Sequence, residues 1–108
     1  MIYTISELQR IITPIAQKYH LRAVYLFGSY ARGTATENSD IDLLIDTEGS
    51  SVKSLFTLAA IYCEMEESLQ KRIDLLTVDS LRQKAQMPSE SDFRLAVAAE
   101  RKTLYAVA

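Results

Sequence analysis

A single cysteine, Cys63, leaves no partner for an internal disulfide, so the 108-residue chain is not a cross-linked secreted scaffold. A reducing compartment and a buried, inert thiol are expected. Basic charge is not in excess either. Lys and Arg number 12 against 14 Asp and Glu, a formal net charge of -2, and the basic residues are scattered. This lacks the electrostatic footprint of a duplex-binding protein and argues against nucleic acid as the main partner. No stretch approaches the roughly 20 apolar residues a membrane span needs. The opening MIYTISELQRII has no basic region leading into a long apolar run. A cytoplasmic protein with no membrane partner is expected. Internal repeats, low-complexity blocks and interdomain linkers are also missing. With 48% apolar residues, residues 1–108 are expected to form one domain with a small core.

What is present alternates helix-like and strand-like patterns. Thr4 and Glu7 stand three apart, as in a capping box, and Leu8, Ile11, Ile12, Ile15 and Tyr19 follow at helical spacing. Pro14 lies within that stripe and removes a backbone donor, so a kink or early break is expected there. His20 reads as a helix-end residue near the last carbonyls, without a catalytic role. Ala23 to Phe27 is a short apolar run stopping at Gly28-Ser29, the pattern of a buried strand ending in a tight turn. Arg32 to Asn38 is polar and loop-like. From Asp40 to Asp46, DIDLLID places Ile41, Leu43 and Ile45 on one strand face and Asp40, Asp42, Leu44 and Asp46 on the other. After a loop at Gly49 to Ser51, Leu55, Leu58, Tyr62, Met65 and Leu69 repeat as the stripe of a core-facing helix. Arg72 to Val78 reads as a strand, Leu81 to Ser91 as a loop, and Asp92 to Tyr105 as a last helix. The order describes an α/β or α+β fold, a small mixed sheet with flanking helices.

The segment GSYARGTATENSDIDLLID carries the chemistry. Gly28 lets the backbone approach a phosphate, and amides at a following helix start, with the Ser29 hydroxyl, can donate to it. Arg32, one turn on, offers a planar fork of donors to outer phosphates. Asp40 and Asp42, on one strand face, would hold hard cations bridging the phosphate oxygens, and such oxygen ligands suit Mg2+. Two metals about 3.5 to 4 Å apart need a third carboxylate. Asp74, in RIDLLT, is the candidate, because a charge among apolar strand neighbours is costly unless paired or metal-bound. Asp46, at the strand end, suits a solvated or loop-capping role. Two acids at i and i+2 are commonly just a strand's solvent face, and a Gly-Ser turn alone is an ordinary loop. That bland account fails only against the combination, which sets three acids on core-adjacent strands after a strand-turn-strand order.

These residues resemble the DNA polymerase beta-like nucleotidyltransferase superfamily. Its pattern is a Gly-Ser, a ten-residue gap, Asp-x-Asp and a later strand Asp, matched here by Gly28, Ser29, Asp40, Asp42 and Asp74 over about residues 23–78. A chain with little beyond this core looks like the minimal nucleotidyltransferase antitoxins encoded beside HEPN-domain ribonuclease toxins. The resemblance implies transfer of AMP from ATP to a tyrosine hydroxyl of a HEPN toxin partner, silencing it within a hetero-oligomer. It also implies two Mg2+ ions held by Asp40, Asp42 and Asp74, with Asp74 helping to deprotonate the attacking hydroxyl. Gly28, Ser29, Arg32 and Ser39 would bind the nucleotide. Many such antitoxins carry a basic residue where this chain has Tyr30, which is left as a surface residue by the turn, a base-stacking or partner-contacting side chain, or a site of self-modification. Two other functions fit the same residues: transfer to a small molecule such as an aminoglycoside, and neutralisation of a toxin by occlusion alone. Either protein-partner reading expects exposed apolar surface, with FRLAVAAERKTLYAVA as the candidate and a last helix packed on the sheet as its alternative.

Overall fold

In the computed structural model, the described residues are 2–78, 80 and 101–107. Helix α1 (Ile5–Lys18) leads into strand β1 (Ala23–Phe27), short helix α2 (Gly28–Arg32) and strand β2 (Ile41–Asp46). Helix α3 (Leu55–Leu69) then returns the chain to strand β3 (Ile73–Thr77), and β4 (Lys102–Ala106) completes the sheet. The strand order is β3-β2-β1-β4. Strand β1 runs antiparallel to both β2 and β4, whereas β2 and β3 are parallel and joined through α3. The mixed sheet with flanking helices is therefore the expected fold class.

The capping box forms as the sequence predicts. The Glu7 N–H donates to Thr4 Oγ1 at 3.1 Å and the Thr4 N–H donates to Glu7 Oε1 at 2.9 Å. Thr4→Ala is expected to cost about 1 kcal/mol of unfolding free energy, measured by urea titration. Pro14 does not break α1, which continues to Lys18. Leu8, Ile12, Ile15 and Ala16 are buried on both sides of it, and that packing offsets a proline cost of about 3 kcal/mol. The helix ends in a Schellman arrangement, with the His20 N–H donating to the Gln17 carbonyl at 3.2 Å and the Leu21 N–H to the Ala16 carbonyl at 2.9 Å. His20 sits at φ 56, so its backbone, as expected of a helix-end residue, satisfies the last carbonyls.

The sheet buries apolar residues on two faces. Val24, Leu26, Ile41, Leu43 and Ile45 join α1 and α3 in the main core, while Phe27 and Leu44 form a smaller cluster with Tyr25, Leu76 and Val78 on the other. Alternation in β2 thus holds as read from the sequence, and Asp42 shares the face of Leu44.

Several expectations need correction. Residues 102–106 form a strand, not the end of a last helix, since the open edge of β1 supplies a hydrogen-bonding ladder and Leu104 a buried anchor. Most of the proposed loop and helix over 81–100 lies outside the described residues. In α3 the buried face is Ile61, Met65 and Leu69, with Leu58 partly covered, and Leu55 and Tyr62 point outward. The helix is apolar on several faces, so period alone did not select the side that packs. Cys63 is exposed on that outer side, not buried. Arg32 closes α2 and is not a loop residue. Among the described residues no helix is long and apolar enough to cross a membrane.

Candidate active site

Two ladders bring together residues distant in sequence. Phe27 pairs with Asp42 across β1 and β2, and Asp42 pairs with Asp74 across the parallel β2 and β3. The turn after β1, the middle acid and the third acid therefore meet at one end of the sheet. Gly28 makes that turn at φ 71, a conformation glycine adopts without steric penalty. It also leaves room. A Cβ on Gly28 would lie inside contact distance of Asp42 Oδ2 and 3.0 Å from its Cγ, so the absent side chain is the space the carboxylate occupies. Helix α2 begins at this glycine with Phe27 as its N-cap, and no side chain caps its first N–H groups.

Asp42 is half-buried, and its pKa is pushed up to about 6. Burial is the first cause, followed by a hydrogen bond with Asp74, in which the protonated Asp42 donates, and by the negative charges of Asp74 and Asp40. Arg32 opposes the shift, which places its guanidinium within electrostatic reach of the carboxyl. Asp74 itself is exposed. The expected penalty of a lone acid among apolar neighbours does not arise, because β3 is an edge strand of the described sheet and turns this carboxylate to solvent beside Asp42.

Asp40 stands half-buried one residue before β2. Its approach is fixed by a turn in which Ser39 Oγ accepts from the Thr36 N–H at 2.9 Å and the Ser39 N–H donates to the Thr36 carbonyl at 3.0 Å. The Ser39 hydroxyl thus holds the loop that delivers Asp40. Lys71 Nζ donates to the Glu37 carbonyl at 2.7 Å, and the Ile41 N–H donates to the Arg72 carbonyl at 3.0 Å, tying the same loop to the start of β3. Sequence reasoning missed Lys71, since nothing local marks a lysine whose partner is a distant carbonyl. Asp46 lies at the far end of β2 and accepts from the Glu48 N–H at 3.0 Å, the loop-capping role expected of it.

Tyr30 is buried, 5% exposed, and belongs to the main core cluster. The reading of Tyr30 as a surface residue by the turn is therefore overturned. Helical spacing from Gly28 turns position 30 inward, and its phenol oxygen has no partner among the described residues.

The acids present an all-oxygen donor set, which fits a hard divalent cation. Among the described residues no three acids form a ready-made cage, and Asp42 and Asp74 are the pair the sheet register sets side by side. Two carboxylates held this close gain from a cation that replaces the proton.

The sequence pattern of the nucleotidyltransferase domain family matches residues 8–103. The chain belongs to that family. This nucleotidyltransferase is 43% identical over 77 residues to MJ0435 of Methanocaldococcus jannaschii, a candidate protein adenylyltransferase, covering 71% of this chain and 81% of that protein. It is 34% identical over 83 residues to the protein adenylyltransferase MntA of Thermococcus cleftensis, covering 73% and 82%. Its fold resembles a toxin-antitoxin crystal structure with AMP-PNP, at a TM-score of 0.67 and 22% identity over 92% of this chain and 73% of that one. It also resembles a chain of the complex between a tri-AMPylated Shewanella oneidensis HEPN toxin and its MNT antitoxin, at a TM-score of 0.61 and 16% identity over 96% and 74%.

Proposed function

We propose that this nucleotidyltransferase is an antitoxin that transfers AMP from ATP to a tyrosine hydroxyl of a HEPN-domain toxin, and so neutralises it. The observation that carries the chemistry is the Asp42–Asp74 carboxylate pair set against the Gly28 turn. The acceptor class is supported by the relatives that bear the name protein adenylyltransferase, one of them at 43% identity. The partner class is supported by the likeness to toxin-antitoxin complexes. In this reading residues 1–108 act as one minimal nucleotidyltransferase domain.

Gly28, Ser29 and the uncapped first turn of α2 receive the triphosphate, with Arg32 near its outer charge. Asp40, Asp42 and Asp74 would hold Mg2+, in two sites. The metal supplies neutralisation of phosphate charge and a more acidic acceptor hydroxyl. The phenol oxygen bonds to the α-phosphorus, the α–β bridging bond breaks, and pyrophosphate leaves. Exposed on the edge strand, Asp74 is the base within reach of an incoming protein hydroxyl and takes its proton.

The test is incubation with Mg2+ and α-labelled ATP, with and without a HEPN-domain protein encoded beside the gene. Label is expected on that protein, removed by Asp74→Asn while the two proteins still associate. A complex that forms without label on either protein would overturn adenylyl transfer in favour of occlusion or a small-molecule acceptor.

A further inference from the structure

Helix α3 buries only one side. Its opposite side exposes Leu55, Phe56, Ala59, Ala60, Tyr62 and Cys63, with Leu55 at 82% and Phe56 at 89% exposure. These residues fall at spacings of three and four and form two adjacent rows along the helix. The exposure does not come from a frayed end, since Ser54 Oγ accepts from the Thr57 N–H at 3.3 Å and caps the first turn. Apolar surface this continuous marks an interaction site more often than scattered exposed residues do.

The rows lead to the catalytic rim. Helix α3 runs antiparallel to β2 and β3 in the crossover, so its C-terminal half approaches the sheet end that holds Asp74. The Tyr62 phenol lies near Glu66 and within electrostatic reach of Arg72 and Asp74. Past it, Cys63, Glu66, Glu67, Gln70, Lys71 and Arg72 line an open cleft of about 440 Å³. A surface bound along α3 is thereby carried to the acid that faces an acceptor hydroxyl.

The charge beside the rows identifies the partner's chemistry. Helix α3 contains Glu64, Glu66 and Glu67 and no lysine or arginine. Glu64 is engaged by Lys18 at 3.1 Å and by the Tyr19 hydroxyl at 2.8 Å, so the outward charge of the helix itself is that of Glu66 and Glu67, while Lys71, held by the Glu37 carbonyl, and Arg72 follow them along the cleft. We infer that the outer face of α3 docks the protein acceptor, taking an apolar surface flanked by lysine or arginine and delivering its hydroxyl to Asp74. This rests on the reading of the chain as a protein adenylyltransferase.

Cys63, the single cysteine, lies within the rows and reports their cover. Its alkylation by a maleimide is measured in the chain alone at several concentrations and in the presence of the neighbouring HEPN-domain protein. Binding of that protein to the wild type, to Leu55→Ser/Phe56→Ser and to Glu66→Lys/Glu67→Lys is measured in parallel, with thermal melts to verify folding. Expected are at least about tenfold slower alkylation in the complex and at least about tenfold weaker binding by each double variant, as the loss of central apolar anchors in one and the reversal of charge in the other imply. Unchanged alkylation and unchanged binding in a complex that still labels its partner would overturn the docking surface and leave adenylyl transfer standing. Protection of Cys63 in a complex without label would do the reverse. Absence of any complex overturns the inference. So does protection in the chain alone, which points to a second copy if it depends on concentration and to cover by the chain's own residues if it does not.

Discussion

Asp42→Asn is expected to abolish nucleotidyl transfer, by at least about 100-fold, while making the metal-free protein more stable at pH 8. The first effect follows from removing a carboxylate placed between the Gly28 turn and Asp74. Loss of a few kcal/mol of charge stabilisation gives a rate change of about that order. The second follows from the pKa of Asp42, which the fold raises from 3.8 to about 6. Below the unfolded value both states hold the proton and nothing is lost. As pH rises through about 6, the folded protein must ionise a carboxyl that burial and Asp74 disfavour, and the associated stability disappears. Solvent screening at this half-exposed group reduces the effect to about 1 kcal/mol. Asparagine escapes that penalty. Urea titrations of the two proteins should therefore coincide near pH 4, diverge as the pH rises to about 6 and stay apart by a constant amount above it, with the variant the more stable. Added Mg2+ should stabilise the wild type and leave the variant unchanged. Equal stabilities at pH 8, or a variant that still transfers nucleotide at the wild-type rate, would contradict this account of the site.

Gly28→Ala carries the other large effect. A methyl group there overlaps Asp42 Oδ2 and strains a backbone at φ 71. The backbone strain costs about 1 to 2 kcal/mol, which a melt would detect. Displacement of the carboxylate matters more for activity, since a shift of about 1 Å in a catalytic group costs on the order of 100-fold in rate. Label transfer under single-turnover conditions is the measurement. Gly33→Ala is the control, because its left-handed φ of 78 has open space around it and no atom within 4 Å. A loss shared equally by both variants would assign the effect to backbone strain and remove the clash with Asp42 from the explanation.

The site was readable in outline because its parts are local. Gly28-Ser29 closes a short apolar strand, and Asp40 and Asp42 alternate with Ile41 and Leu43, so spacing alone sets turn and acids on the same kind of element. Asp46 was readable for the same reason, as a strand-end acid bonded two residues on. Ser39 was assigned to nucleotide through the resemblance, and the structure adds that its hydroxyl accepts from the Thr36 N–H. Tyr30 was left open because a residue two positions past a glycine turn can face either way until a helix is packed.

Sequence by itself determined the capped α1, the β1 run and its glycine turn, and the alternation of β2 that sets Asp42 on the face of Leu44. Each rests on a period or a cap that spans only a few residues. Tertiary structure decided what these segments face. It set Asp74 beside Asp42 through a parallel pairing that no local signal encodes, and made a strand of residues 102–106 because β1 had an open edge. It also turned Leu55, Phe56 and Cys63 outward on a helix apolar enough to pack on more than one side. Such choices depend on which distant surface offers hydrogen bonds or burial, and that exists only once the sheet has formed.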